Sequence, residues 1–235
     1  MKKSLLVLSA CLLGFSAFSQ TIDEVYTKYI TTAGGAANGD KIKTMKITGT
    51  LTVQGMDLPL IQHIISGRGV KTDVEVMGSS VQFSYLDGAG WKINPYGGAP
   101  EATAMDESEL ADFRDQTAPV SPLFDSKKNG DKLELAGEET LPDGKAWKIK
   151  ATSKDGRVTE YFVNSTSFDL VKSVSKRTVN GAEMNVEAGY GDYKLVEGVR
   201  LPFSLSTSGG PVNQAITIEK YEINVPVDEK IFAKP

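Results

Sequence analysis

Few side chains in this sequence could do nucleophilic, acid–base or metal chemistry. His63 is the one histidine and Cys11 the one cysteine. A single histidine cannot build a His-rich zinc site, and no carboxylates stand near it at a ligand spacing. Ile61 and Ile65 share the strand face of His63. We therefore expect a satisfied structural histidine and not a catalytic base.

Carboxylates are the second candidate for chemistry. Five of them lie between residues 106 and 115, where helical spacing places them mostly on a solvated face. Sheet carboxylates such as Asp73 and Glu75 leave a paired-carboxylate hydrolase open, since such pairs have no sequence signature. The sequence contains no nucleophile-elbow motif and no phosphate- or dinucleotide-binding glycine motif. We predict that the protein is not an enzyme and uses no metal or cofactor.

The composition is that of a globular protein with a core. Hydrophobic residues make up 40% and charged residues 24% of the 235 residues. This is enough apolar material for one substantial domain. The formal net charge is −4, and no cluster of lysine and arginine is present. A nucleic-acid partner is therefore not expected.

The first 19 residues are typical of a secretory signal peptide. Lys2-Lys3 precedes an apolar run at residues 4–15, and small residues lead to a cleavage site between Ser19 and Gln20. The apolar run is too short to favour a membrane-spanning helix, which needs roughly 20 residues. We expect residues 20–235 to form a single domain in the periplasm.

A lipid anchor is the alternative to this processing. Leu8-Ser9-Ala10-Cys11 resembles a bacterial lipobox, although the apolar stretch before it is short. Cleavage before Gln20 would instead leave a mature chain without cysteine. Such a chain has no disulfide, no thiol nucleophile and no zinc–cysteine site.

Alternating polar and apolar residues predict that most of the chain builds a sheet. Residues 45–95 are interpreted as four consecutive strands, with Asp87-Gly88 as a hairpin turn. A second block begins at Asp131 and includes turns at Asp143-Gly144 and Asn180-Gly181. Its predicted strands are residues 133–135, 147–151, 158–163, 170–179, 184–190, 199–205 and 215–223. Tight turns between successive strands indicate an antiparallel meander.

Two helices are predicted beside the strands. Thr21 with Glu24 forms a capping box for a helix at the start of the mature chain, and Gly34-Gly35 ends it. Asp106 with Glu109 gives the same signal for a second helix, residues 107–117. The second helix has a thin apolar stripe, and we interpret it as a helical insertion that lies across a sheet face. Its apolar stripe consists of Leu110 and Phe113, while Asp112, Arg114 and Asp115 are expected to face water.

The order of these elements resembles the LolA/LolB-like superfamily of bacterial lipoprotein carriers. The likeness is closer to the outer-membrane lipoprotein-sorting proteins of Bacteroidetes-type bacteria. It is carried by Ser66-Gly67-Arg68-Gly69-Val70-Lys71, by residues 81–95 and by the closing residues 223–232. The resemblance implies a mainly β (α+β) fold, in which a curved antiparallel sheet forms an unclosed barrel. An N-terminal helix and the helical insertion would cover its concave face.

The resemblance also implies a function and a site. The concave face would accept the acyl chains of a lipidated protein, or another apolar ligand, and Lol-type proteins of the inner or outer membrane would be partners. The expected lining is Leu51, Val53, Val74, Val76, Val81 and Phe83 from the sheet, with Leu110 and Phe113 from the covering helix.

Arg68 best matches a carrier arginine that helps to hold the helical lid closed, and Gly69 stands where the carriers normally have proline. A non-catalytic interaction module of the cell envelope, with a solid core, is the alternative function. The residue types that line a core and an apolar cavity are the same.

Overall fold

A computed structural model describes residues 20–179, 182–210 and 213–235. These residues form one 13-stranded antiparallel sheet and a few helices, which confirms the predicted fold class. The predicted signal peptide, Cys11 and the predicted turn at Asn180-Gly181 lie outside the described residues.

The strands follow one another as a meander in two blocks, as the alternation of polar and apolar residues predicts. The first block contains β1 (Thr44–Val53), β2 (Met56–Ile65), β3 (Gly69–Val76), β4 (Ser79–Leu86), β5 (Ala89–Asn94) and β6 (Ala99–Ala104). The second block contains β7 (Lys132–Leu141), β8 (Gly144–Thr152), β9 (Val158–Asn164), β10 (Leu170–Val179), β11 (Ala182–Val196), β12 (Val199–Ser208) and β13 (Gln214–Ile223).

The two blocks join through their first and last strands. The order across the sheet is β6-β5-β4-β3-β2-β1-β13-β12-β11-β10-β9-β8-β7, so β1 and β13 pair at its middle. The strands β6 and β7 are its edges, and the curved sheet is not closed into a barrel. The helical insertion, residues 105–131, connects these two edge strands and therefore crosses from one edge of the sheet to the other.

Residues 45–95 contain one strand more than the four predicted. The additional hairpin joins β1 to β2 through Gln54 and Gly55, whose φ angles are 50° and 78°. Left-handed φ at both central residues is what a two-residue hairpin turn requires. A Gln-Gly pair lacks the Asn or Asp that normally marks such turns, so the local signal for this hairpin is weak.

Four α-helices accompany the sheet within the described residues: α1 (Ile22–Thr32), α2 (Ala36–Gly39), α3 (Glu107–Asp115) and α4 (Pro122–Asn129). The predicted capping boxes of α1 and α3 are both present. The helix α4 was not predicted, since the second predicted helix ends at residue 117. Pro122 is instead at the start of α4, where its missing N–H has no intrahelical partner to lose.

Three apolar clusters lie along the part of the sheet that the structure describes. The first lies under α1 and α4 and includes Tyr29, Leu123 and Ile149. The second is central, around Met45 and Leu201. The third cluster is made only of residues from β1, β2, β3, β4 and β13. Its members are Leu51, Val53, Met56, Leu58, Leu60, Val74, Val76, Val81, Phe83 and Ile216.

Candidate functional site

The sheet residues expected to line a cavity lie on one face of the first block. Pairing places Leu51 opposite Leu58 and Val74 opposite Val81, and directly paired residues point to the same side of a sheet. All six predicted sheet residues belong to the third apolar cluster. The register therefore brings them together, and their role as a ligand lining stays a prediction.

This third cluster is partly open to solvent. Val74, Val76 and Val81 are buried, whereas Leu51 and Phe83 are only half-buried. Val53, Met56 and Ile216 are half-buried as well. The cluster thus offers a concave apolar surface that its own strands do not fully cover. Such a surface could take apolar groups from water, which is the elementary requirement for holding an acyl chain.

The helix α3 lies beside this surface. The ring of Phe113 stacks on the ring of Phe83, with 5.6 Å between centroids and 24° between planes. Leu110 and Phe113 also pack against the central cluster. No residue of α3 is fully buried. The helix therefore covers the face with a narrow apolar contact, which agrees with the thin stripe seen in the sequence.

Ion pairs hold α3 on both sides of the concave face. On the first block, Lys92 of β5 donates to Glu109. On the second block, Arg114 contacts Asp155 at 2.7 Å. The guanidinium of Arg157 donates to both carboxylate oxygens of Asp115, at 3.1 and 3.2 Å.

Asp112 adds one more link between α3 and the second block. Its carboxylate lies 3.2 Å from the guanidinium of Arg177 in β10. The side chain of Asp112 is 25% exposed. The prediction that Asp112, Arg114 and Asp115 face water is therefore wrong for Asp112, whereas the other two stay largely open to solvent while they pair. All three pair across the open side of the sheet, and a single sequence gave no signal of these distant arginine and aspartate partners.

The rest of the insertion is anchored more firmly than α3. Leu123 and Phe124 of α4 are buried in the first apolar cluster. The hydroxyl of Tyr26 donates to the carbonyl of Phe124 at 2.9 Å, and the hydroxyls of Tyr29 and Ser121 are 2.5 Å apart. The insertion thus has a fixed part, α4, and a more weakly held part, α3.

Arg68 lies in the turn between β2 and β3. Its guanidinium donates to both carboxylate oxygens of Asp87, at 3.0 and 2.6 Å, and to Glu229 at 2.7 Å. These hydrogen bonds raise the pKa of Arg68 and connect two turns to the C-terminal segment. The neighbouring backbone contacts the insertion instead, since the N–H of Gly67 donates to the carbonyl of Thr117 at 3.1 Å. That Arg68 helps to hold the helical lid closed stays a prediction.

His63 is not the satisfied histidine that was expected. Its Nδ1 atom is buried and has no hydrogen-bond partner among the described residues. Burial is the main reason that its pKa is lowered, and the nearby charge of Lys46 acts in the same direction. His63 lies on the outer face, opposite Lys71, and the C-terminal residues Ile231 and Ala233 close over that area. It is therefore remote from the concave face.

The carboxylates around α3 have opposed pKa shifts. Burial raises the pKa of Asp112, and the nearby charge of Arg177 only partly offsets this effect. The hydroxyl of Ser153 and the guanidinium of Arg114 instead hold the pKa of Asp155 well below its usual value. Asp73 and Glu75, considered as a hydrolase pair, lie on the outer face. Within the described ranges, no three His, Cys, Asp or Glu side chains are grouped to hold a metal ion.

Comparison with known proteins shows the fold. The chain superposes on a LolA superfamily protein from Nitrosomonas europaea with a TM-score of 0.59 and 10% identity, over 92% of this chain and 99% of the other. The chain has a LolA-like fold. This agrees with the predicted resemblance at the level of the superfamily fold, and the likeness to Bacteroidetes-type proteins stays a prediction.

Two further structures share this LolA-like fold. A DUF1329 family protein from Desulfovibrio piger has a TM-score of 0.59 and 10% identity, over 92% of this chain and 98% of the other. An outer membrane lipoprotein-sorting protein domain from Vibrio parahaemolyticus has a TM-score of 0.56 and 9% identity, over 90% and 95%. No protein-family model matches the chain, and no curated protein matches it.

One further structural fact concerns membranes. None of the helices in residues 20–179, 182–210 and 213–235 combines the length and the apolar character needed to cross a bilayer.

Proposed function

We propose that this protein is an exported carrier that binds acyl chains, or another apolar ligand, on the concave face of its LolA-like sheet. The half-open third cluster carries the proposal, because several of its apolar side chains stay half-buried and α3 covers it only through a narrow contact at Phe83. The helix α3 would be the movable cover. A lipidated protein is the proposed cargo, exchanged with Lol-type proteins of the inner or outer membrane.

The energetics of acyl binding support this choice of ligand. Each methylene removed from water contributes about 0.8 kcal/mol, so ten buried methylenes would contribute about 8 kcal/mol before the cost of association. Acyl chains need no catalytic group. The fold shared with an outer membrane lipoprotein-sorting protein domain supports the same class of ligand.

The attachment of α3 supports its role as the cover. No residue of α3 is fully buried, so little apolar contact would be lost if the helix moved away from the sheet. Its ion pairs are partly exposed, with side-chain exposures of 50% and 43% for Arg114 and Asp155. Exposed ion pairs contribute little stability each and are screened by salt. The helix α4 is firmly packed and would stay in place while α3 moves.

Native mass spectrometry of the full-length chain, produced in a Gram-negative host and purified without detergent, tests this proposal. We expect a bound lipid mass and, after denaturation, a polypeptide beginning at Gln20. A ligand-free protein that also ignores added lipopeptide would contradict the carrier function. That outcome would favour the solid interaction module.

A further inference from the structure

A polar cleft of about 290 Å³ lies on the outer face of the first block, on the opposite side of the sheet from the third apolar cluster. Its floor consists of side chains from β2, β3, β4 and β5, and the C-terminal residues 231–235 form one wall. The carbonyl of Phe232 fixes this wall, because it accepts the indole N–H of Trp91 at 2.8 Å and the hydroxyl of Ser84 at 3.0 Å. The proposed carrier function does not use this cleft.

Three basic side chains stand side by side on this face. The register places His63 of β2 directly between Lys46 of β1 and Lys71 of β3. Directly paired residues have Cβ atoms about 4.5–5.5 Å apart, and like charges in such pairs destabilise a sheet. Asp73 is the one side-chain carboxylate among the described residues that line the cleft, and Glu222, on the far side of Lys46, has its own lysine partner. Positive charge therefore prevails around His63, and an anion would balance it.

Lys71 is the most deeply buried of these basic groups. It is only 5% exposed, although lysine is almost never buried in this way unless it is paired. Its ammonium donates to Asp73 and lies 5.5 Å from the centroid of the Trp91 ring. An ammonium group has three N–H donors, and Asp73 accepts one of them. Lys71 thus brings a fixed positive charge and further donors to the cleft.

The imidazole of His63 supplies an independent observation in the same cleft. Its buried Nδ1 atom has no hydrogen-bond partner in the part of the chain that the structure describes. We assign the proton of the neutral ring to Nε2, because a buried N–H at Nδ1 would have no acceptor. The Nε2–H group is then the donor that His63 can offer to a ligand.

We propose that this cleft binds the carboxylate of a small organic acid, which accepts hydrogen bonds from the ammonium of Lys71 and the Nε2–H group of His63. Hydrogen bonds between charged partners are roughly twice as strong as neutral ones. Ile231, Ala233 and Pro235 offer apolar contact to a short hydrocarbon part of the same molecule. The volume of the cleft suits a ligand of only a few carbon atoms.

NMR of the imidazole nitrogens tests the proposal, because the sequence contains no histidine besides His63. The protein is produced without a histidine tag, labelled with ¹⁵N and titrated with propionate. We expect a saturable shift of the Nε2 resonance. Propionamide is the matched control ligand, since it has nearly the same shape without the charge, and it should cause no saturable shift.

The same spectra provide a second readout through the pKa of His63. In the free protein, burial and the charges of Lys46 and Lys71 lower this pKa, and the charge of Asp73 acts in the opposite direction. A bound carboxylate adds a negative charge beside the ring and favours its protonated form. We therefore expect saturating propionate to raise the pKa of His63.

Two lysine variants test the assignment of residues. We expect Lys71→Met to weaken propionate binding about tenfold or more. Lys194→Met is the matched control, because Lys194 also pairs with an aspartate two positions away and lies over an aromatic ring, Phe203, at 4.3 Å. Its side chain is 53% exposed and does not line the cleft, so the affinity should stay unchanged. Circular dichroism checks the fold, and the wild-type titration decides alone if Lys71→Met does not fold.

Several results would overturn the proposal: no saturable change at His63, equal binding of propionate and propionamide, tighter binding of inorganic phosphate than of propionate, or unchanged affinity in folded Lys71→Met. Leu51 lies on the opposite face of the sheet. Leu51→Asn should therefore bind propionate like the wild type even where it binds acyl chains more weakly. The two proposals can fail separately.

Discussion

At the scale of single residues, the main feature is the set of arginine–aspartate pairs around α3. Arg157 is central, since it contacts Asp115 of the helix and Asp155 of the facing turn. These groups are about one-third to one-half exposed, so each pair contributes modestly. We expect them to hold α3 in place and to contribute little to the stability of the whole fold.

Replacing Arg157 tests this division between local and global effects. We expect Arg157→Gln to lower the free energy of unfolding by only about 0.5–1 kcal/mol, while amide exchange in α3 becomes clearly faster. Urea unfolding and hydrogen exchange measure the two effects. Lys176→Gln, which removes an exposed pair with Glu183, is the matched control and should leave α3 unchanged. Equal exchange of α3 in both variants would contradict the role given to Arg157.

The lowered pKa of Asp155 predicts a pH dependence with a definite sign. The folded pKa lies below the usual 3.8, so the stabilisation is complete above about pH 4 and is lost as pH falls through the folded value. We expect protection of the α3 amides to be constant above about pH 4 and to fall progressively as the pH is lowered further. The fall should be smaller in Asp155→Asn, which has no carboxylate to protonate. An identical fall in both proteins would show that Asp155 does not hold the helix.

At the scale of elements, local sequence signals were sufficient where local interactions decide the structure. The capping boxes at Thr21 and Asp106 correctly predicted where α1 and α3 begin. The seven strands of the second block also follow their alternation. The prediction missed α4 because a proline can begin a helix as well as end one, and Pro122 begins α4. It also missed β6, a short edge strand, because little of this strand is buried.

The cap of α3 can be removed without touching its ion pairs. Asp106 accepts the N–H of Glu109 at 2.9 Å, and caps of this kind contribute about 1 kcal/mol. We expect Asp106→Ala to speed amide exchange of α3 about fivefold while the urea midpoint stays nearly constant. Ser108→Ala, on an exposed position of the same helix, is the control. A large shift of the urea midpoint would mean that α3 belongs to the global folding unit.

At the scale of the whole molecule, the pairing of strands that are far apart in the sequence determines features that the sequence alone could not predict. The β1–β13 seam joins residues about 170 positions apart, and no local signal encodes that register. The same seam brings Ile216 beside Leu51, which completes the third cluster. The resemblance and the alternation of polar and apolar residues correctly place the predicted sheet residues in one cluster, whereas the ion pairs of α3 join residues that are far apart in the sequence.

Gly49 tests this seam directly. It lies at a register shift between β1 and β13, and a Cβ there would lie 2.5 Å from the carbonyl oxygen of Thr217. We expect Gly49→Ala to destabilise the protein by about 1–3 kcal/mol in urea unfolding, because the strand backbone must move. Gly191→Ala is the matched control, with its nearest atom at 3.9 Å, and should be neutral or slightly stabilising. Equal stability of the two variants would contradict the close approach at the seam.

Titration with a fluorescent fatty acid tests the central claim most directly. We predict saturable binding to the wild type and about tenfold weaker binding to Leu51→Asn, because the concave apolar surface loses its central side chain. Thr48→Asn changes the opposite face of the same strand, beside Lys220, and should bind like the wild type. No binding to the folded wild-type protein, or equal binding to the two variants, would contradict the assignment of the concave face as a ligand site.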